Sequence, residues 1–152
     1  ELDVWKPGQH NGTFRGHNLA FVAATEALDH YWKTDEFSND IKRKSKLIEE
    51  HLQKIAKAYP ELDFDVRGRG FVWALESNKE PALAGRVQEI CFEHKLIIET
   101  CGSAGQALKP LPALITSDEE LKKGLDIIET AYAAAVAEMQ NEPGVVKLAA
   151  RN

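Results

Sequence analysis

The order in which helical and strand periodicities alternate constrains the fold of this chain more than any other feature. The clearest signal runs from Ile41 to Tyr59, where apolar residues recur at steps of four and three along one face until Tyr59-Pro60 stops the helix. A first helix is expected over 18–32, and short apolar runs then alternate with two further helical segments. The order α-α-β-β-α-β-β-α predicts an α+β fold with a small, mostly antiparallel sheet covered by helices.

The later segments have local boundary signals. Strands are expected at 64–67, 71–75, 96–100 and 107–112, and helices from Pro81 to His94 and from the capping box Ser117–Glu120 onward. Gly68-Arg69-Gly70 interrupts the first strand region, which implies a bulge or a turn. Pro110 and Pro112 confine the last extended piece to a sheet edge or an irregular strand end, because proline cannot donate to a ladder.

Composition and charge exclude some partners without identifying one. The 152 residues carry a net charge of −5, with 43% hydrophobic and 28% charged residues, as is usual for a globular protein. The one basic cluster, Lys42–Lys46, lies in the second helix and is followed by Glu49 and Glu50, so we interpret it as a solvated helix face. We therefore expect no nucleic-acid partner, since phosphate backbones call for clustered positive charge.

The cysteines and histidines follow no pattern typical of a metal site or a disulfide framework. Cys91 and Cys101 match none of the usual thiolate ligand pairs, and no histidine pair has the spacing of a zinc-binding helix. No apolar run has the length of a membrane span. We expect a cytoplasmic protein with no metal and no membrane partner. Gly68-x-Gly70 also lacks the third glycine of a dinucleotide-binding fingerprint.

A short turn before the first helix has the composition of an anion site. Gly12 lets the chain bend close to a ligand, Thr13 offers an O–H and an N–H, and Gly16 supplies a second flexible joint. Asn18 is then placed to cap the helix. These residues alone fit two interpretations, a phosphate-binding turn or an ordinary loop with an asparagine cap.

The whole string His10–Ala20 resembles the Gly-Thr-(Phe/Tyr)-x-Gly-x-(Asn/Pro)-Leu-Ala segment of class III, pyridoxal-phosphate-dependent aminotransferases. The resemblance continues to the end of the chain. Arg67–Phe71 is similar to an Arg-Gly-x-Gly-(Leu/Phe) strand element of that family. Within the class, residues 2–16 and 27–32 are most similar to the diaminobutyrate/2-oxoglutarate branch of ectoine synthesis.

The resemblance implies the C-terminal small domain of a fold-type I pyridoxal-phosphate-dependent transferase. Residues 1–32 would form the phosphate-binding turn and a helix that bridges from the large domain, and residues 33–152 the small domain. The chain begins at Glu1, and its only methionine is Met139, so we expect a C-terminal fragment of a longer protein. In the family, the Schiff-base lysine and the aspartate that contacts the pyridine nitrogen lie upstream. We therefore expect no catalytic residue in this chain and no activity from it alone.

The resemblance also implies roles for particular residues. Thr13 would hydrogen-bond the phosphate of the pyridoxal 5'-phosphate held by the neighbouring subunit, with Gly12 allowing the approach, which requires a homodimer or a higher homo-oligomer. Lys109 stands where many relatives have an arginine that grips the substrate carboxylate; a solvent-facing lysine at a strand end is the alternative. Arg15 either approaches the phosphate or the substrate entrance, or makes a surface or interface ion pair.

For the parent protein, the resemblance implies transfer of an amino group from glutamate to aspartate 4-semialdehyde, which gives 2,4-diaminobutyrate and 2-oxoglutarate. Two alternatives stay open. One is another class III transaminase that acts on a different ω-amino acid. The other is a non-catalytic α+β module that binds a small ligand or mediates dimerisation.

Overall fold

The computed structural model describes residues 4–141, which divide between Asn39 and Asp40 into two compact units. The first unit contains the turn that precedes helix α1 (Asn18–Tyr31) and the start of helix α2 (Glu36–Ala58). In the second unit, the rest of α2 is followed by a one-turn 3-10 helix and then by six elements: β1 (Phe64–Arg69), β2 (Val72–Ser77), α3 (Leu83–Glu93), β3 (Glu99–Cys101), β4 (Ala107–Lys109) and α4 (Asp118–Asn141). Within residues 4–141, no helix combines the length and the apolar character that crossing a membrane requires.

One antiparallel sheet of four strands lies in the described part of the second unit. Its order is β1-β2-β4-β3, so β1 and β3 form the edges. β1 and β2 form a hairpin in which Arg69 pairs with Val72, and Gly70 at φ 59° opens the two-residue connection. The sequence predicted a turn in this region, and the turn is confirmed, but the strand continues through Gly68 and Arg69.

Position 68 tolerates only glycine for a packing reason. A Cβ built there would overlap the ring of Trp73 and lie 2.6 Å from the carbonyl oxygen of Val72. The indole cannot easily yield, because its Nε1 donates to the Gly70 carbonyl oxygen at 2.8 Å and the ring is almost fully buried. The glycine therefore allows the hairpin to close over the tryptophan, which belongs to the core.

The core of the second unit is built by the apolar faces of the helices and one face of the sheet. Alternate residues of β2 are buried, as expected for a sheet with one covered face. The buried side chains of α2 and α4 recur at the predicted helical spacing. They pack into one cluster with side chains of α3 and the strands, whose largest fully buried members are Tyr132, Ile48, Leu52, Ile55, Leu75, Leu83 and Leu108.

The two short strands differ from the prediction. β3 begins at Glu99 and not at Leu96, because Lys95 at φ 68° turns the chain after α3 and Ile97 remains 84% exposed. β4 lies inside the sheet, so the predicted edge position is wrong. The alternative of a strand end is confirmed, since the ladder stops at Lys109, before the first proline.

The observed ends of α3 and α4 can be compared with the sequence signals that predicted where these helices begin and end. α3 begins at Leu83, two residues after Pro81, and His94 is its exposed C-cap and not part of the core face. The capping box before α4 is confirmed. The Glu120 N–H donates to Ser117 Oγ at 3.2 Å, and the Ser117 N–H donates to Glu120 Oε2 at 3.2 Å.

The basic cluster of α2 is only partly solvated, which corrects the sequence interpretation. Lys44 is buried, its ammonium group donates to the Thr116 carbonyl oxygen at 2.8 Å, and it pairs with Asp40 at 2.7 Å. Arg43 binds both Asp40 and Asp118. These contacts fasten α2 to the start of α4, since the partners come from the loop before α4 and from its first residue.

Candidate functional site: an open Gly-Thr turn before helix α1

The residues before α1 fold into consecutive tight turns. Arg15 N–H donates to the Gly12 carbonyl oxygen at 3.2 Å, and His17 N–H donates to the Phe14 carbonyl oxygen at 3.2 Å. Gly16 takes φ 73°, a left-handed value that favours glycine and explains its position just before the helix. The turn thus delivers the chain into the N-terminus of α1.

Thr13 is exposed within this turn and has unused hydrogen-bonding groups. Among the described residues, neither its hydroxyl nor its N–H makes a hydrogen bond. A free hydroxyl and a free N–H side by side are suited to the oxygens of a phosphate group. The predicted donor is therefore available at the position where the sequence placed it.

Gly12 precedes Thr13, and the space beside its Cα atom is largely empty. Its φ is outside the left-handed region, and an added Cβ would meet only the flexible Arg15 side chain, with the nearest carbon at 3.6 Å. That separation is an ordinary van der Waals contact. Packing within the described chain therefore does not demand a glycine here.

The helix that follows adds further free donors. The N-cap of α1 is His17 and not Asn18, so the predicted asparagine cap is wrong, and no side chain caps this end. Asn18 is instead the first residue of the helix, where its side chain is not placed to receive the N–H groups of the first turn. The uncapped N–H groups and the helix dipole favour an anion at this end of α1.

Arg15 does not reach out from the turn. Its guanidinium donates back to the carbonyl oxygen of His10, five residues earlier. Within the described residues it makes no ion pair, so the surface ion pair proposed from the sequence is not formed there. The guanidinium adds positive charge beside the open face of the turn.

Lys109 lies in the other unit, at the end of β4. Its side chain is 26% exposed, and its ammonium group lies 3.5 Å from Glu99 Oε2 on the neighbouring strand β3. Lys109 and Glu99 line a cavity of about 400 Å³, whose other walls are mostly apolar side chains of α4 and of the segments around β3 and β4. Lys109 is thus a half-buried, paired lysine, and an anionic ligand would have to compete with Glu99.

Cys91 is not a nucleophile that is poised for chemistry. Both cysteines are free, and Cys91 is buried in the core. Burial raises the pKa of the Cys91 thiol to about 11, because desolvation disfavours the thiolate. Cys91 therefore behaves as a small apolar core residue.

The donors around Thr13 fit a phosphate monoester such as that of pyridoxal phosphate. Thr13 O–H, Thr13 N–H and the N–H groups at the uncapped N-terminus of α1 are all potential donors, and no carboxylate lies among the residues of the turn from 8 to 17. An α+β unit with an antiparallel sheet that follows such a turn is what the resemblance to class III aminotransferases implies.

The class III aminotransferase family model matches residues 2–132, and the chain belongs to this family. The chain is 50% identical, over 97% of its length, to a diaminobutyrate–2-oxoglutarate transaminase of Bordetella parapertussis, of which it covers 34%. It is 46% identical, over 90% of its length, to the enzyme of the same name from Oceanobacillus iheyensis, of which it covers 32%. The chain therefore spans about a third of the length of these relatives.

Solved structures confirm the fold class. Two structures of ornithine aminotransferase from Toxoplasma gondii superpose with TM-scores of 0.72 and 0.71 at 26% identity. They cover 90% and 91% of this chain, which spans 32% of each of those chains. In one of them, pyridoxal phosphate partially occupies the active site. The α+β prediction and the family resemblance are both confirmed.

Proposed function

We propose that this chain forms the C-terminal third of a pyridoxal-phosphate-dependent transaminase and contributes a phosphate-binding turn to its active site. The observation that carries the proposal is the free Thr13 hydroxyl and N–H at the uncapped N-terminus of α1. Membership of the class III family supports the cofactor assignment. When bound, pyridoxal phosphate supplies an electron sink for the amino-transfer reaction.

The role of this chain in that reaction is to anchor and orient. Thr13 donates its hydroxyl hydrogen to a phosphate oxygen, and the turn's N–H groups add donors that do not have to reorganise. Gly12 keeps the approach open, since only the Arg15 side chain lies near its missing Cβ. Arg15 supplies positive charge next to the phosphate or the substrate entrance. Lys109 binds a substrate carboxylate as a point charge in place of the usual two-pronged arginine.

The substrate pair that we propose is glutamate and aspartate 4-semialdehyde, which gives 2-oxoglutarate and 2,4-diaminobutyrate for ectoine synthesis. The relatives at 50% and 46% identity are diaminobutyrate–2-oxoglutarate transaminases, which supports the pair of 2,4-diaminobutyrate and 2-oxoglutarate. A second class III activity on another ω-amino acid is the alternative, which the structural similarity to ornithine aminotransferase at 26% identity supports more weakly.

We also propose a homodimer in which Thr13 reaches the cofactor of the neighbouring subunit. Helix α1 supports this assembly, because none of its residues is buried in the part of the chain that the structure describes, although many are apolar. Phe21, Val22 and Leu28 are all exposed on it. Apolar surface of this extent is typical of an interface with another domain or subunit.

The Schiff-base lysine, in this proposal, belongs to the part of the parent protein that this chain does not span. Residues 1–32 then form the turn and the bridging helix, and residues 33–152 form the small domain. The chain alone is expected to be inactive, because the lysines between residues 4 and 141 are exposed or paired, as Lys44 is with Thr116 and Asp40. A cytoplasmic location is proposed because both cysteines are free thiols.

The test uses the full-length parent protein. Its absorbance band from bound cofactor is recorded before and after addition of 2,4-diaminobutyrate, and again after 2-oxoglutarate. A band that shifts with the diamine and returns with the oxoacid supports the proposed reaction. A band that responds to ornithine or 4-aminobutyrate but not to 2,4-diaminobutyrate supports the alternative substrate, and a protein that binds no cofactor supports a non-catalytic module.

A further inference from the structure

Three potential metal ligands meet on the surface between α2 and α4. His51 Nε2 lies 3.4 Å from Asp126 Oδ1 and 3.3 Å from Glu129 Oε2. All three ligand atoms lie within 4.8 Å of one another. We call these three side chains the His51 cluster. All three residues belong to the second unit, whereas Thr13 belongs to the first.

The helix packing explains why these side chains converge. His51 precedes the buried Leu52 on α2, so it lies at the margin of the face that enters the core. Asp126 and Glu129 each follow a buried residue of α4, Leu125 and Ile128, and their spacing of three places them on one side of the helix. Two amphipathic helices that pack along their apolar faces bring such flanking residues together.

The His51 ring nitrogen is the unusual member. Nε2 is shielded from solvent but makes no hydrogen bond among the described residues. The two carboxylate oxygens, at 3.4 and 3.3 Å, lie beyond the usual N–H···O range. Polar atoms buried in this way are rare without a partner, and a cation held between the imidazole nitrogen and the two carboxylates would give Nε2 that partner.

We propose that the His51 cluster binds a zinc ion. Imidazole nitrogen and carboxylate oxygen are ordinary zinc ligands, and two such atoms at about 2.0–2.1 Å from a tetrahedral zinc lie about 3.3–3.4 Å apart. The two separations from Nε2, 3.4 and 3.3 Å, agree with that edge, and the two carboxylate oxygens lie within 4.8 Å of each other. Water would take the fourth position. The site would join α2 to α4.

Lys54 forms an ion pair with Glu129 and orients its carboxylate in the His51 cluster. Its ammonium group lies 2.6 Å from Glu129 Oε1, the oxygen that does not face His51. This ion pair holds the carboxylate so that Oε2 points to the imidazole, as outer-shell partners commonly do for metal-binding carboxylates. Its single positive charge does not compete for Nε2, since Lys54 is largely exposed and contacts the far oxygen.

The test is a titration of zinc chloride into the metal-free 152-residue chain, followed by calorimetry and by thermal melting with and without a chelator. We expect one zinc per chain and a melting temperature that rises with zinc. His51→Gln should weaken the affinity at least about tenfold and remove the zinc-dependent rise. His30→Gln, an exposed histidine on α1, is the matched control and should bind as the unaltered chain does.

Two further variants test the proposal if His51→Gln perturbs folding. Asp126→Asn and Glu129→Gln change exposed or half-exposed carboxylates without changing side-chain size, and each should also weaken zinc binding. Circular dichroism without zinc checks that the helices are retained. The proposal is overturned if the unaltered chain takes up no zinc, or if all three cluster variants bind it as tightly as the His30→Gln control.

Discussion

Replacing Thr13 by alanine in the full-length parent protein should loosen its hold on pyridoxal phosphate without destabilising the fold. The hydroxyl is exposed and has no partner among the described residues, so no internal hydrogen bond is lost. A hydrogen bond from a neutral donor to a charged group is typically worth about 1.5–3 kcal/mol. Its loss should raise the dissociation constant of the cofactor roughly ten- to hundredfold.

Part of the phosphate binding should survive in this variant. The Thr13 N–H and the uncapped N-terminus of α1 are backbone groups that alanine does not remove. The assay is the dissociation constant of pyridoxal phosphate, measured by cofactor absorbance after dialysis and titration. The melting temperature of the cofactor-free protein is measured in parallel.

Two further variants separate a hydrogen bond from a general effect on the unit. Thr13→Ser keeps the hydroxyl and should retain most of the affinity. Thr25→Ala also removes an exposed threonine hydroxyl, but that hydroxyl already donates to the Phe21 carbonyl oxygen at 2.8 Å within α1. It should leave cofactor binding unchanged. The reasoning is refuted if Thr13→Ala binds the cofactor as tightly as the unaltered protein, or if Thr13→Ser is as weak as Thr13→Ala.

Three other predictions concern the second unit. Gly68→Ala should lower the free energy of unfolding by about 1–3 kcal/mol, because the added methyl group overlaps the buried Trp73. Gly85→Ala, inside α3 with open space around it, should instead raise the free energy of unfolding by about 0.5–1 kcal/mol. Urea denaturation measures both changes. Ser117→Ala should cost about 1 kcal/mol of stability in the same assay, because α4 loses its cap hydroxyl. The Arg86 guanidinium lowers the pKa of Glu138 from its usual 4.5. This pair therefore stabilises the fold above about pH 4.5, and the stabilisation is lost as the pH falls through the lowered pKa. Arg86→Gln should make the loss of stability below pH 4.5 shallower, and an unchanged pH profile would contradict the assignment.

Helices were predicted well from this sequence because their signals are local. The apolar spacing of α2 and the stop at Pro60 lie within one segment, and the capping box of α4 joins residues only three apart. Each signal also agrees with the packing that the core requires. Local propensity and burial therefore indicate the same structure.

The short strands were harder to predict because their pairing is not local. β4 has only three ladder residues, and its inner position depends on β2 and β3, which approach it from opposite sides. The apolar run at Ile97 and Ile98 suggested an earlier start for β3, but the chain is still leaving the turn at Lys95 there. The burial of Lys44 likewise depends on a carbonyl group, that of Thr116, which lies far away in the sequence.

The features of the candidate sites also differ in whether local sequence could predict them. The open turn was predicted from adjacent residues, and the structure leaves Thr13 with free donors as that prediction requires. Its role toward a cofactor stays a prediction. The choice between Asn18 and His17 as the N-cap depended on one residue of register, which composition does not fix. The His51 cluster gave no sequence signal, because its ligands come from two helices and have no short spacing in common.

The glycines around Thr13 give an independent reason to expect a ligand at this turn. Gly8 and Gly16 adopt left-handed φ values of 85° and 73°, so the backbone itself accounts for both. Gly12 adopts no such value, and an added Cβ would meet nothing closer than 3.6 Å. Neither backbone conformation nor packing within the described chain explains a glycine at this position. The proposed close approach of a phosphate to the free donors of Thr13 and α1 would account for it.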